Sequence, residues 1–355
     1  MCMMKILHSA DWHLDSPLRS LPEIQARRLR RELLLIPGRV AQLCRAEGCH
    51  MMLLSGDLFD GAWSRESVDA VRQALEEAAV PVFIAPGNHD YYWENSPWDL
   101  EIWPENVHIF RNNTMQSVVL EGLSCRVYGA AFTAAESSGV LEGFRAQGQE
   151  RYAVAVLHGD PTSGDSPYCP VTAGQIQESG LDYLALGHIH TADSFTAGAT
   201  VAAWPGCAMG RGFDETGVKG ALVVTLGQTA EVRFQPLEGL RFYDLTVKAG
   251  EDPLSFLPAR GSEDFYRITL TGETEPPDLE ALRRRLSRFP NMVLRDRTRP
   301  PVQSWAGADE DSLEGVFFRI LRDAGEGQDA GTRAALELAA KLSRQILLGQ
   351  EVELP

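Results

Sequence analysis

Five short segments set histidine, aspartate and asparagine beside glycine or one another: Asp11-Trp-His13, Gly56-Asp57-Leu-Phe-Asp60, Gly87-Asn88-His89-Asp90, His158-Gly159-Asp160 and Gly187-His188-Ile-His190. Of the chain's eight histidines, His13, His89, His158, His188 and His190 fall inside these segments, whereas His8, His50 and His108 stand apart. A lone Asp-x-His is most simply read as a turn, but all five segments in this order point to a metal centre. The donor set is Asp11, His13, Asp57, Asn88, His158, His188 and His190. Imidazole combined with carboxylate and amide oxygen suits Mn²⁺, Fe²⁺ or Zn²⁺ better than an all-thiolate or all-oxygen cage would. A carboxylate can bridge two cations ~3.5–4 Å apart, and such a pair polarises a phosphoryl oxygen and activates water for in-line displacement. Asp57 is the natural bridge, and the chemistry implied is phosphoester hydrolysis.

Donors spread over about 180 residues need a fold that gathers them. Apolar runs predict strands at Lys5–His8, Met51–Ser55, Val82–Ala85, Cys125–Ala130, Tyr152–Leu157 and Tyr183–Leu186. Several are continuously apolar, as strands covered on both faces are. Each metal-type segment directly follows one of these strands, and side chains at the carboxyl ends of neighbouring strands converge on one crevice. Helices are predicted over Glu23–Glu47, with Pro37 kinking or breaking it, and over Ser64–Ala79. In the second, Ser64 is the cap and Val68, Val71, Leu75 and Ala78 make the apolar stripe. After Gly198 come short strands at Thr200–Ala203, Ala221–Leu226 and Glu231–Gln235, read as a second sheet packed on the first. This pattern fits an α/β layered sandwich.

Beyond Leu237–Gly239 the character changes. Strands at Phe242–Val247, Tyr266–Leu270 and Met292–Asp296, with a helix at Asp278–Arg288, form a small α+β unit closed by Pro300–Pro301. Two helical stretches, Ser312–Asp323 and Thr332–Leu348, make the tail. The division expected is 1–238, 239–302 and 303–355.

The ordered segments resemble the calcineurin-like metallophosphoesterase superfamily. Within it the chain is similar to the SbcD-type DNA repair exonucleases, and to their YhaO-like branch in His13-Leu-Asp-Ser-Pro17, Leu184-Ala-Leu-Gly-His-Ile-His190 and Gly210-Arg-Gly-Phe-Asp-Glu-Thr-Gly217. The resemblance covers residues 4 to 240 well and the remainder only in layout. It implies a four-layer α-β-β-α sandwich with a small α+β capping domain and a helical C-terminal tail. It implies one cation on Asp11, His13, Asp57 and His190 and another on Asp57, Asn88, His158 and His188, Mn²⁺ before Fe²⁺ or Zn²⁺. His89 would then be the catalytic imidazole at the scissile phosphate, not a ligand, with Asp60 as its orienter. The alternative for Asp60 is a cap for the helix after Trp63. Asp90 and Asp160 either hold ligand imidazoles or stabilise turns.

Hydrophobic residues make up 44% and charged residues 23% of the 355-residue chain, ordinary for a globular protein. No apolar stretch approaches the ~20 residues that span a bilayer, and the first residues do not read as a secretory signal, so a cytoplasmic protein is expected. The six cysteines form no CxxC pair and read as reduced thiols. A net charge of −16 opposes binding to a polyanion on average, but local distribution decides. Seven arginines, Arg283, Arg284, Arg285, Arg288, Arg295, Arg297 and Arg299, are opposed within Glu280–Pro300 only by Glu280 and Asp296. They are candidate DNA phosphate contacts; a solvated helix and a charge-protected edge strand are the alternative. Arg27, Arg28, Arg30 and Arg31 read as a solvated face. Leu313, Val316, Phe317, Ile320 and Leu321 form an amphipathic stripe. The resemblance implies that the tail docks on an SbcC-like coiled-coil ATPase, and it suggests a homodimer; packing on its own domain is the alternative for the stripe. Three functions are therefore in play: a metal-dependent DNA exonuclease, a phosphoesterase for cyclic nucleotides or other small substrates, and a non-catalytic scaffold for DNA ends.

Overall fold

The computed structural model describes residues 3–100, 102–301 and 303–349. In chain order, β1 (Met4–Ser9) is followed by α1 (Glu23–Leu33), α2 (Ile36–Ala46), β2 (Met51–Leu54), α3 (Arg65–Ala78), β3 (Val82–Ile84) and β4 (Val107–Ile109). Then come β5 (Gln116–Leu120), β6 (Cys125–Gly129), β7 (Tyr152–His158), α4 (Ala173–Glu178), β8 (Tyr183–Gly187), β9 (Asp193–Ala197) and β10 (Thr200–Trp204). Next, β11 (Gly220–Leu226) and β12 (Ala230–Pro236) precede β13 (Phe242–Lys248), β14 (Phe265–Glu273), α5 (Leu279–Arg285), β15 (Asn291–Arg299), α6 (Leu313–Ala324) and α7 (Ala330–Leu347).

The one long helix expected over 23–47 is two, and Pro37 sits in the first turn of α2, where its missing N–H would have had no partner anyway. Ser64 caps α3 by accepting the Ser67 N–H, and its own N–H donates to Asp15 at 2.8 Å. Asp60 is therefore not the cap.

Two six-stranded sheets form the sandwich, in the orders β12-β11-β1-β2-β3-β4 and β5-β6-β7-β8-β10-β9. The parallel cores are β1 to β4 in the first and β6, β7, β8 and β10 in the second. The strands after Gly198 do not make the second sheet by themselves. β10 joins it beside β8, but β11 returns to the first sheet antiparallel to β1, and β12 pairs antiparallel with β11. Burial patterns report which faces are covered, not which strand lies alongside, so the sequence carried no signal for this pairing.

The alternation of side chains along each strand builds the layers. Leu7, Met52, Leu54 and Ile84 face α1–α3 in one core; Ile6, Leu53, Phe83, Val154 and Ala185 fill the space between the sheets; Leu157, Leu184 and Leu186 pack with Ile176 of α4 on the far side. The result is the four-layer α-β-β-α arrangement. Strands β4, β5 and β9 and helix α4, which the apolar runs do not predict, are short or lie at sheet edges.

The three histidines outside the metal-type segments have structural company. His50 Nδ1 accepts the Lys5 N–H at 2.9 Å, and His108 packs on Phe83 and Phe110. His8 is fully buried, and burial pushes its pKa down to about 3. Below the ordinary value of 6.5 the unfolded chain takes a proton that folded His8 refuses, so this group removes stability as pH falls from 6.5 to about 3. Urea unfolding at several pH values should show the stability of the native protein relative to His8→Gln falling by ~1.4 kcal/mol per pH unit in that window. The difference should be flat above it.

The chain divides into two compact units, the first running to Tyr243 and also taking in Glu263–Tyr266. The second holds β15, α5, α6 and α7 with most of β13 and β14, so most of the small sheet shares a unit with the tail helices. In β15, Val293, Arg295, Arg297 and Arg299 alternate on the exposed face. Arg283 is paired with Glu280 at 2.6 Å and Arg285 with Asp252 at 2.9 Å. In the tail, Phe318, Ala308 and Ala340 form a small core joined by Leu321, while Leu313, Val316, Phe317 and Ile320 are exposed. The expected stripe is thus split, with Leu321 packed inward and the rest outward.

No helix among the described residues is long and apolar enough to cross a membrane. Cys44, Cys49, Cys125, Cys169 and Cys207 are free thiols; Cys2 lies outside the described residues.

Candidate metal centre

The residues singled out by type and spacing come together at the carboxyl ends of β1, β2 and β3 in one sheet and β7 and β8 in the other. The loops lock onto one another through their backbones. Asp11 N donates to Gly56 O and His13 N to Asp57 O, both at 3.0 Å. His188 N–H points at both Asp11 carboxylate oxygens at 3.2 Å, joining the two sheets. Gly87 is required by close approach: a Cβ there would lie 2.2 Å from Asp57 Oδ1. At Gly187 a Cβ would lie 2.1 Å from Ser55 O. Asp11, His13, Asp57 and His188 all adopt positive φ, between 47° and 92°. Such strain at non-glycine residues persists only where surrounding structure over-determines it, and it gathers at functional sites.

Donor atoms of Asp11, His13 and His190 lie within 4.8 Å of one another, as do those of Asp11, Asp57 and His158, and those of His13, Asp57 and His89. Asn88 Oδ1 is 2.9 Å from His158 Nε2. His188 is less closely drawn in: its ring packs on His158 and Tyr168, at 5.3 and 4.9 Å between centroids.

The proton arrangement fits cations. His158 Nδ1 lies 2.8 Å from the Ser55 carbonyl, which can only accept, so this nitrogen carries the hydrogen. Burial pushes the His158 pKa down to about 3, so the neutral ring presents a lone pair at Nε2 to the Asn88 oxygen, acceptor against acceptor. His190 repeats the pattern. Its Nδ1 donates to Glu215 Oε1 at 2.8 Å, and its Nε2 faces His13 Nε2 at 3.2 Å. Burial lowers His13 to about 4, and its Nδ1 looks at Asp60 Oδ1 from 3.5 Å. Whichever nitrogen of neutral His13 holds the proton, two lone pairs face each other. Asp11 and Asp57 add two adjacent buried carboxylates; burial and the Asp57 charge raise the Asp11 pKa well above its ordinary value. Divalent cations between these atoms resolve every one of these conflicts.

His89 and Asp60 form a pair at the edge of the cluster. His89 Nδ1 is 2.8 Å from Asp60 Oδ1, and this bond raises the imidazole pKa. Burial alone would raise Asp60, but its bonds with His13, His89 and Ser16 hold the carboxyl well below the usual range. Asp90 holds no imidazole. It accepts the N–H groups of Gly87, Asp57, Leu58 and Phe59, pinning the Asp57 loop, and burial followed by the Asp57 charge pushes it up to about 7. Asp160 accepts from Thr162 N and Oγ1 and is a turn residue.

Residue patterns alone did not reveal the support given by Glu215 and Arg211. Glu215 is buried beneath His190 and takes the Arg211 N–H and Nη2 at 2.8 Å each. Arg211 Nη1 reaches Asp60 Oδ2 at 3.5 Å. Burial opposes ionisation of Glu215, yet the bonds from His190 and Arg211 keep its carboxyl far below the usual range. The only sequence signal was the glycine-flanked segment Gly210–Gly217. Because the carboxylate fixes the His190 tautomer, Glu215→Gln is expected to weaken cation binding ~10–100-fold, read by calorimetric titration with Mn²⁺.

The calcineurin-like phosphoesterase family model matches residues 4–192. The chain belongs to this family. This phosphoesterase is 30% identical over 314 residues to the uncharacterized metallophosphoesterase YhaO of Bacillus subtilis, covering 81% of the present chain and 76% of that protein. It is 22% identical over 316 residues to the SbcD component of the SbcCD nuclease of Staphylococcus epidermidis, covering 78% and 81% respectively. Family membership implies a phosphoester hydrolase, and it agrees with a His/Asp centre able to hold two metal ions.

Proposed function

We propose that this phosphoesterase is a metal-dependent DNA exonuclease acting in DNA repair. The observation that carries the substrate reading is the row Arg295, Arg297 and Arg299 on the exposed face of β15, spaced to follow a phosphate backbone. Similarity to a nuclease component along most of the chain supports it. Arg283 and Arg285 are already held by carboxylates; Arg284 and Arg288 complete the candidate set.

Asp11, His13, Asp57 and His190 would hold one cation, and Asp57, Asn88, His158 and His188 the other. Mn²⁺ is the proposed metal, since the imidazole and oxygen donors favour it along with Fe²⁺ and Zn²⁺. Bound there, the pair supplies an activated water and charge stabilisation at the phosphoryl group. The protein's own contribution is a placed proton. Asp60 engages His89 Nδ1 and favours the imidazolium, leaving Nε2 to protonate the departing oxygen. The exposed Leu313, Val316, Phe317 and Ile320 on α6 suit a helix of an SbcC-like ATPase partner.

The deciding assay compares Mn²⁺-dependent digestion of linear DNA with hydrolysis of a cyclic nucleotide. Turnover of the cyclic nucleotide alone would overturn the nuclease reading, and DNA binding without any hydrolysis would leave a scaffold. Replacing Arg295 or Arg297 by Gln should lower the salt slope of DNA binding by about one per side chain.

A further inference from the structure

Two buried tyrosines make polar contacts across the largely apolar layer between the two sheets: Tyr152 Oη of β7 donates to Leu226 O of β11 at 3.0 Å, and Tyr183 begins a longer bridge. Tyr183 Oη, from β8 of the second sheet, lies 2.7 Å from His8 Nδ1, from β1 of the first. His8 Nε2 lies 2.7 Å from Ser55 Oγ, and the Ser55 carbonyl receives the His158 Nδ1 proton at 2.8 Å. His8, Ser55 and Tyr183 are all fully buried. Replacing both partners of a buried hydrogen bond by apolar groups of the same shape can be nearly neutral or stabilising, so cohesion alone does not account for the bridge. What hydrogen bonds add to a core is direction.

Ser55 is where that direction is used. Its N–H donates to Ser9 O at 3.0 Å, and Gly187 presses so closely on its carbonyl that no side chain fits there. Its peptide thus lies against the loops of both sheets, between the strand that leads to Asp57 and the turn that leads to His188.

We infer that His8 and Tyr183 are positioning residues: by fixing Ser55 across the gap between the sheets, they set how His158 presents Nε2 to a cation and align the two halves of the donor set. This inference rests on the proposed metal centre.

Calorimetric titration with Mn²⁺ alone tests it, on the native protein, Tyr183→Phe and Ser55→Ala, the last a small change if Tyr183→Phe should fail to fold. The native protein should bind two Mn²⁺. Both variants should bind one of them ~10-fold more weakly and the other unchanged. The visible spectrum of the Co²⁺-loaded Tyr183→Phe protein should also shift, which loss of mere packing would not cause. Two Mn²⁺ bound as tightly by both variants as by the native protein would overturn the positioning role while leaving the metal centre intact. Absence of Mn²⁺ binding by the native protein would overturn both.

Discussion

Asp57→Ala is expected to leave the protein without either cation. Asp57 is almost fully buried, and its Oδ2 lies 3.4 Å from His158 Nε2 and 3.8 Å from His13 Nε2, so one carboxylate reaches toward both groups of donors. Its other oxygen accepts the His89 N–H at 2.9 Å. Metal content after dialysis should fall from two per chain to none, and loss of only one would remove Asp57 as the shared ligand. Charge stabilisation by such a pair is worth several kcal/mol, so hydrolysis should fall ~10³-fold or more. An opposite effect should accompany the loss. The Asp57 charge helps to raise the pKa of both Asp11 and Asp90, which is buried like-charge repulsion in the metal-free state. The near-isosteric Asp57→Asn protein should therefore melt higher than the native protein in chelator, and lower in the presence of Mn²⁺.

His89→Ala separates chemistry from binding. General acid catalysis contributes ~10²–10⁴-fold, and kcat should fall by that factor while both cations remain. The outcome is informative because His89 also lies within reach of His13 and Asp57 as a third potential donor. A drop in metal content would make it a ligand and remove the proposed acid. Asp60→Asn gives a graded companion. The Asp60 bond raises the His89 pKa, so without that charge the imidazolium is lost at lower pH. The alkaline limb of kcat/KM should move toward acid when measured at saturating Mn²⁺, which offsets the loss of the Asp60 contact with the His13 ring.

Much of this candidate centre was legible because its donor-type residues sit at strand ends beside glycines, where type and order are both visible. Asp57 and His158 could be placed from an apolar run followed by a turn. Glu215 could not, since it lies in an irregular loop and acts through its bonds to His190 and Arg211. His8 gave no signal either: it stands apart from the metal-type segments, and its partner Tyr183 is 175 residues away. The fold was legible as alternating strands and helices, but not the return of β11 and β12 to the first sheet. Their burial patterns suit either sheet, and only the pairing of β11 with β1 decides between them.

The contact between the His188 N–H and the Asp11 carboxylate joins residues 177 positions apart. A bond over such a span forms only after the intervening chain has collapsed, and non-local contacts of this kind come late and slowly in folding. A chain in which only β1 to β4 have formed holds Asp11, His13, Asp57 and Asn88 but none of the later imidazoles. Full metal loading therefore marks the completion of assembly: a half-built chain, in the cell or on the ribosome, has no intact centre with which to cut a phosphoester.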